Sequence, residues 1–158
     1  MAHIGNSLVN SLDTHIIAKE LMELYAIEQQ NIYAYKHALQ LMGGKTELLI
    51  GDRIEGLIKV SQSHSDILLK RIIVLGGKLP NTPSGLEKLI TIELENINDP
   101  NNLNKLTDNL LNRFREIIPL ISKTINLLKD TDLLSFSALI PILDFYVTHE
   151  DELEAFSE

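Results

Sequence analysis

Residues 46–80 read TELLIGDRIEGLIKVSQSHSDILLKRIIVLGGKLP, and this stretch decides the fold. Ile54, Leu57, Ile58, Leu68 and Ile72 recur at helical spacings, and no proline interrupts before Pro80. Gly76-Gly77 with Pro80 beyond is a stop signal: glycine reaches the left-handed backbone that ends a helix, and proline cannot continue one. A helix is predicted over about 46–75, roughly 45 Å long at 1.5 Å per residue.

Toward the N-terminus, Gly43-Gly44 separates it from a similar run, about 13–42, in which Ile16, Ile17, Leu24, Ile27, Ala34, Ala38 and Leu41 repeat without proline or glycine. A link that short makes the two helices antiparallel neighbours. Toward the C-terminus, Pro80, Pro83 and the capping-box pattern Ser84-Gly85-Leu86-Glu87 open a short helix expected to reach about Asn96, within a long crossover over 78–99. Asp99-Pro100 then reads as an N-cap and first-turn proline for a third helix, about 100–129, carrying Leu103, Leu106, Leu110, Ile117, Leu120 and Leu127. A break at Asp130-Thr131-Asp132 leads to a fourth, about 132–156, with Leu139, Ile142, Leu153 and Phe156 on one face. Pro119 and Pro141 fall inside these last two helices and should kink them. The pattern predicts an all-α fold, an antiparallel four-helix bundle with a long crossover between helices 2 and 3, as one domain over 1–158.

Composition narrows the function. The 158 residues contain no cysteine, which excludes disulfides, thiolate metal sites and cysteine nucleophiles. A net charge of -8 argues against nucleic acid or an anionic membrane as partner, because phosphate binding needs clustered Lys and Arg. Lys59, Lys70 and Arg71 are read as a solvated face, and Glu150, Asp151, Glu152, Glu154 and Glu158 as a solvated last turn. Apolar runs such as Ile72 to Leu75 fall far short of a bilayer span. The opening Met-Ala-His-Ile-Gly-Asn-Ser lacks the features of a secretory signal, so a cytoplasmic protein is expected.

Polar residues interrupt the apolar stripes near mid-helix. On the second helix Ile54, Leu57, Ser61, His64, Leu68 advance by 3, 4, 3, 4; on the fourth, Ile142, Tyr146, His149, Leu153, Phe156 advance by 4, 3, 4, 3. The third points Arg113 inward between Leu110 and Ile117, and the first points Glu23 inward in the stripe Ile16, Glu20, Glu23, Ile27. Glu23, Ser61, His64, Arg113, Tyr146 and His149 are therefore expected to share a central polar layer. Each buried polar group costs about 1–3 kcal/mol unless paired, so the layer implies a satisfied network or a ligand.

At these residues the chain resembles the ferritin-like proteins, and within them bacterioferritin. Glu23-Leu24-Tyr25-Ala26-Ile27-Glu28-Gln29 is similar to the family's Glu-Leu-x-Ala-Ile-x-Gln, whose Glu is an iron ligand. His64-Ser65-Asp66, followed by Arg71-Ile72 and Gly76-Gly77-Lys78-Leu79-Pro80, resembles its His-Ala-Asp segment and the helix end after it, and His149-Glu150-Asp151-Glu152-Leu153-Glu154 resembles its His-x-Asp-x-Leu-Glu. The resemblance implies a diiron site of one Glu from each of two helices and a Glu-x-x-His pair from each of the others. Glu23, His64 and His149 match. Ser61, Tyr146 and Arg113 stand where carboxylates are required, and Gln62 stands at the haem-ligand Met, so no haem is expected.

One carboxylate beside a fixed guanidinium cannot offset the charge of two irons. The expectation is a ferritin-like bundle without an intact diiron centre, in a non-catalytic structural or interaction role, with a Glu23–Arg113 ion pair in the metal's place, no cofactor and no ferroxidase activity. The alternative is iron or another divalent metal at a mononuclear site of Glu23, His64 and His149, serving iron storage or oxidative-stress protection. Leu21, Leu48, Leu49, Ile73 and Val74, off the core face of the first hairpin, predict at least a dimer through that hairpin.

Overall fold

A computed structural model describes residues 14–157, and among them there is no β-strand. Five helices follow in order: α1, Thr14–Leu41; α2, Gly44–Val74; the short α3, Pro83–Glu87; α4, Leu103–Leu128; and α5, Leu133–Ser157. Helix α1 packs chiefly on α2 and α4 on α5, and α1–α4 and α2–α5 contacts join the two hairpins. The result is an antiparallel four-helix bundle with a long crossover between α2 and α4. No described helix is long and apolar enough to cross a membrane. The opening residues read for a secretory signal, Asp13 at the expected start of the first helix, and Glu158 lie outside the described residues.

Among the described residues two glycines have positive φ, one at the α1–α2 turn and one at the end of α2. Gly44, at φ 58, lets the chain reverse between α1 and α2. Gly76, at φ 78, closes α2 with the paired bonds of a Schellman turn, Gly77 N–H donating to Ile72 O at 2.8 Å and Gly76 N–H to Ile73 O at 3.0 Å.

The crossover differs from its expected form. Its helix starts from Thr82, whose Oγ1 accepts from Gly85 N at 3.1 Å with Pro83 in the first turn, and ends at Glu87 instead of running to Asn96. Proline at the first helical position fits this frame better than Ser84 as cap does, because its missing N–H costs nothing there. Helix α4 likewise starts at Leu103, capped by Asn102 Oδ1 accepting from Lys105 N at 3.1 Å, and not at Asp99-Pro100. Asn101 supplies the reason. Its Oδ1 accepts from Gly43 N at 2.8 Å and its carbonyl from Thr46 Oγ1 at 2.7 Å, which holds 99–101 against the α1–α2 turn and outside the helix.

Other expectations shift with helix rotation. Ile16, Leu41, Leu127 and Phe156, assigned to core stripes, are exposed; Leu21, assigned to the surface, is fully buried. Arg71 does not join a solvated face. Its Nη2 donates to Asp132 Oδ1 at 3.2 Å and Oδ2 at 3.1 Å, and its Nε to Ser135 Oγ at 2.8 Å, pinning the end of α2 to the start of α5.

Candidate functional site

The buried face of α1 is set by a heptad-like run: Ile17, Leu21, Leu24, Glu28, Asn31, Tyr35, Ala38 and Met42 advance by alternating fours and threes and are all buried. The centre of that run is polar. Glu28, Asn31 and Tyr35 face the middle of the bundle, where α2 brings His64, α4 brings Arg113 and α5 brings Tyr146.

Glu28 is the hub. The His64 ring bonds through Nδ1 to its Oε2 at 2.8 Å. The Tyr146 hydroxyl donates to Oε1 in a short hydrogen bond, and Asn31 Nδ2 donates to the same oxygen at 3.3 Å. Asn31 Nδ2 also reaches the Tyr146 hydroxyl at 3.2 Å. Its other end accepts from Arg113 Nη2 at 2.6 Å, so a neutral amide bridges the buried carboxylate and the buried guanidinium. Arg113 Nη1 donates to the Glu95 carbonyl at 2.8 Å, which extends the network to the crossover. Arg113 Nε is buried and, among the described residues, has no hydrogen-bond partner.

Burial dominates the electrostatics. It raises the Tyr146 phenol well above its ordinary pKa, reinforced by the negative charge of Glu28 and by Tyr35. The Tyr35 phenol is also raised by burial, with Arg113 opposing the shift. Arg113 is held below its ordinary value by desolvation, which Tyr35, Tyr146 and Glu95 partly offset. Both phenols are therefore hydrogen-bonding groups at neutral pH, not anions.

An aromatic cluster packs around the hub. Phe114 and Phe145 stand edge-on to Tyr146 at 5.1 and 5.4 Å, and Phe145 lies edge-on to His64 at 5.2 Å. A cavity of about 10 Å³ beneath Glu28 and Tyr146, lined otherwise by Leu and Ile including Leu24 and Ile117, is at the lower limit for one water molecule.

The six residues expected in the layer are thus divided. His64 and Tyr146 meet at Glu28, and Arg113 joins through Asn31. Glu23 does not face Arg113: its Oε2 accepts from Thr91 N and Thr91 Oγ1, both at 2.6 Å, and clamps the crossover onto α1. The expected Glu23–Arg113 pair is replaced by two separate attachments, because α1 is rotated so that Glu28, not Glu23, points to the centre. His149 is half-buried, with Nδ1 bonded to the Phe145 carbonyl at 2.9 Å and its ring over Phe145 at 4.0 Å, outside the hub. Ser61 is buried on α2 one turn before His64 and takes no part in the network.

Glu23, His64 and His149 therefore do not converge as ligands. Among the described residues, the set of three acidic or histidine groups within 4.8 Å of one another is Glu150, Asp151 and Glu154. Arg115 already bonds two of these, at 2.7 Å to Glu150 and 3.1 Å to Glu154. The residues sequence reasoning missed are Glu28, Asn31 and Tyr35. Their signal was the unbroken run from Ile17 to Met42, longer than the four-residue stripe through Glu23.

No protein-family model matches the chain, and no curated protein matches it. Solved structures do. A Dps protein from Vibrio cholerae O1, described as a member of a broad superfamily of ferritin-like diiron-carboxylate proteins, is 16% identical with TM-score 0.85, covering 95% of this chain and 94% of that one. A Dps1 variant from Mycobacterium smegmatis is 19% identical with TM-score 0.84, covering 95% and 100%. A dodecameric thioferritin, the bacterioferritin-related protein from Bacteroides fragilis, is 17% identical with TM-score 0.83, covering 91% and 85%. At these identities the likeness establishes the fold.

Proposed function

We propose that this chain, which has the ferritin-like fold, acts as a self-associating structural or interaction bundle in which a closed hydrogen-bond network replaces the dinuclear metal centre. A diiron-carboxylate centre needs carboxylates from all four helices, pooled to offset several positive charges. The residues here do not fit that group. Glu28 is the carboxylate at the hub, and both its oxygens are taken by protein donors. Glu23, the other acidic side chain buried on α1, is held by Thr91. Arg113 adds a permanent positive charge where a cation would need a ligand.

The observation that carries this reading is the saturation of Glu28 by His64, Tyr146 and Asn31. A ligand site keeps an open position, whereas here both carboxylate oxygens of Glu28 are engaged by side chains of the protein, and the buried donor left over, Arg113 Nε, belongs to a cation and cannot ligate a metal. The polar residues then fix the mutual rotation of the helices, a task that apolar packing specifies less sharply. Self-association fits the dodecameric assembly of the Bacteroides fragilis relative.

The test is anaerobic Fe(II) loading followed by elemental analysis and exposure to oxygen. The expected result is no stoichiometric iron and no oxidation rate above that of buffer. Two irons per chain with turnover would overturn the proposal, as would one metal per chain that is lost in His64→Ala.

A further inference from the structure

Between a turn that ends at Ile90 and one that opens at Asp99, the crossover runs without helix or strand over residues 91–98. Its exposure alternates: Ile92 and Leu94 are half-buried against the core, while Thr91, Glu93 and Glu95 are exposed, the mark of an extended chain lying on the bundle. Ile97 is the buried side chain of the segment. Among the described residues, the backbone groups of Ile92, Glu93, Leu94, Asn96, Ile97 and Asn98 form no hydrogen bond. Polar tethers hold the segment at two points. On α1, Glu23 accepts from Thr91 N and Oγ1; on α4, Arg113 Nη1 donates to the Glu95 carbonyl and Asn112 Nδ2 to Glu95 Oε2 at 2.8 Å.

A helix breaks a ladder of backbone bonds when it opens, whereas this segment breaks only its tethers. The closed position also carries a penalty. Arg113 Nε is buried without a partner among the described residues, both acceptors of the guanidinium are neutral, and an unpaired buried donor opposes the arrangement that encloses it. Lifting the segment takes the Glu95 carbonyl off Arg113 and lets water reach the guanidinium, so the open state sheds that penalty. Thr91 and Glu95 are four residues apart, at most about 14 Å of extended chain, too short a run for either tether to release far while the other holds.

We propose that residues 91–98 are a strap that lifts as one unit while the four helices stay folded, and that it gates the access of solvent and small solutes to Arg113 and the network behind it. The hinges are the two flanking turns. On one side Ile90 N–H donates to the Glu87 carbonyl at 3.2 Å, and on the other Asn101 keeps 99–101 against the α1–α2 link. With the strap closed, Arg113 is a structural cation. With it open, Nη1 faces water and Asn31 alone ties the guanidinium to Glu28.

Butanedione, which modifies solvent-accessible guanidinium groups, reads the open state at Arg113, and amide hydrogen exchange reads it at Thr91. In the native chain both rates are expected to be independent of urea below the unfolding transition, whereas exchange of the Phe114 amide inside α4 accelerates with urea because it needs global unfolding. Each tether should also control the other's site. Glu23 does not touch Arg113, yet Glu23→Ala is expected to speed modification of Arg113 at least about 10-fold, the equivalent of a lost charge-assisted bond, and to leave that of Arg71 unchanged. Asn112→Ala, at an exposed position on α4, should speed Thr91 exchange about 3-fold, the equivalent of one surface hydrogen bond. Should Glu23→Ala fail to fold, Asn112→Ala still decides. Arg113 modification and Thr91 exchange that rise with urea as steeply as Phe114 exchange would overturn the strap, since the segment would then open only with the bundle. Tether variants that act only at their own site would overturn its motion as one unit.

Discussion

The bundle holds two buried clusters that each contain one guanidinium and one carboxylate, and they are built on opposite plans. Where α2 meets α5, Arg71 touches Asp132 directly and Asp132 also caps α5, accepting from Ser135 N at 3.2 Å and from the Ser135 hydroxyl in a short bond. At the centre, Arg113 and Glu28 do not touch; Asn31 stands between them, accepting from one and donating to the other. A direct pair concentrates the consequence of losing either partner, because the survivor is left as an unpaired charge. A bridged pair distributes it, since each charge keeps other partners.

The largest effect is therefore expected at the helix end. Asp132→Ala should cost about 3–4 kcal/mol in urea unfolding: it strands Arg71 and removes the acceptor for Ser135 at the α5 N-terminus. Arg71 keeps some solvent contact, which tempers the loss. A cost below about 1 kcal/mol would mean that Arg71 rehydrates freely and that the pair contributes little.

Arg113→Leu sharpens the comparison, because Arg113 is more deeply buried than Arg71 yet should cost less. The change removes bonds to two neutral acceptors, Asn31 Oδ1 and the Glu95 carbonyl, and strands no carboxylate in contact with it. Only Asn31 Oδ1 is left as a buried acceptor, since the carbonyl of exposed Glu95 can turn to water, and one such loss costs about 1–3 kcal/mol. A larger loss than that of Asp132→Ala would break the distinction between the two plans. Glu23→Gln should be nearly additive with Arg113→Leu in a double-mutant cycle, since the two side chains hold different points of the crossover.

How much of this was legible in the sequence varies by helix. On α2 the 3, 4, 3, 4 spacing put Ser61 and His64 at inward positions, and both are buried. A helix covered on one side has one apolar stripe, so its rotation can be read from spacing. Helix α1 is covered by α2, by α4 and by the crossover, so Ile17, Glu23, Ile27 and Glu28 are all buried and two stripes compete. The stripe through Glu23 lost because Ile16 points to solvent. The partners of Glu23 and Arg113 on the crossover were not legible in the spacing: Thr91 N and the Glu95 carbonyl are backbone groups, and these and the Thr91 hydroxyl are placed by the path of a segment with no regular structure.

The two phenols offer a pH test of the central cluster. Tyr35 and Tyr146 have folded-state pKa values above the ordinary 10.0. Below pH 10 both the folded and unfolded chains keep these protons. Above it the unfolded chain releases them while the folded chain does not, so the unfolded state is favoured and stability falls as pH rises. One pH unit above the ordinary value, each tyrosine should account for about 1.4 kcal/mol of that loss. Tyr35→Phe and Tyr146→Phe should each flatten the alkaline slope of chemical denaturation midpoints, and Asp132→Ala should leave it unchanged. An alkaline slope indifferent to both Phe variants would show that these phenols ionise without unfolding.

The smallest expected effect comes from converting one plan into the other. Asn31→Asp would place a carboxylate directly on Arg113 Nη2, now 2.6 Å from Asn31 Oδ1, and so create a contact ion pair like Arg71–Asp132. The same change removes the amide donor that serves Glu28 and the Tyr146 hydroxyl, and sets a second carboxylate where Asn31 Nδ2 is 3.3 Å from Glu28. A charge-assisted bond gained is worth about 1.5–3 kcal/mol, and a lost donor with like-charge repulsion costs somewhat more, so a net loss of about 1 kcal/mol at pH 7 is expected. The sign of its pH dependence is the more specific readout. Two adjacent carboxylates share a proton most readily in the folded state, so their folded pKa is raised and the associated stability is present at low pH and lost as pH rises. The deficit of Asn31→Asp relative to the native chain should therefore shrink between pH 7 and pH 5 in urea titrations. A deficit that grows on acidification would mean that Arg113 claims the new carboxylate outright, and that the bridging amide was never needed to keep the buried charges apart.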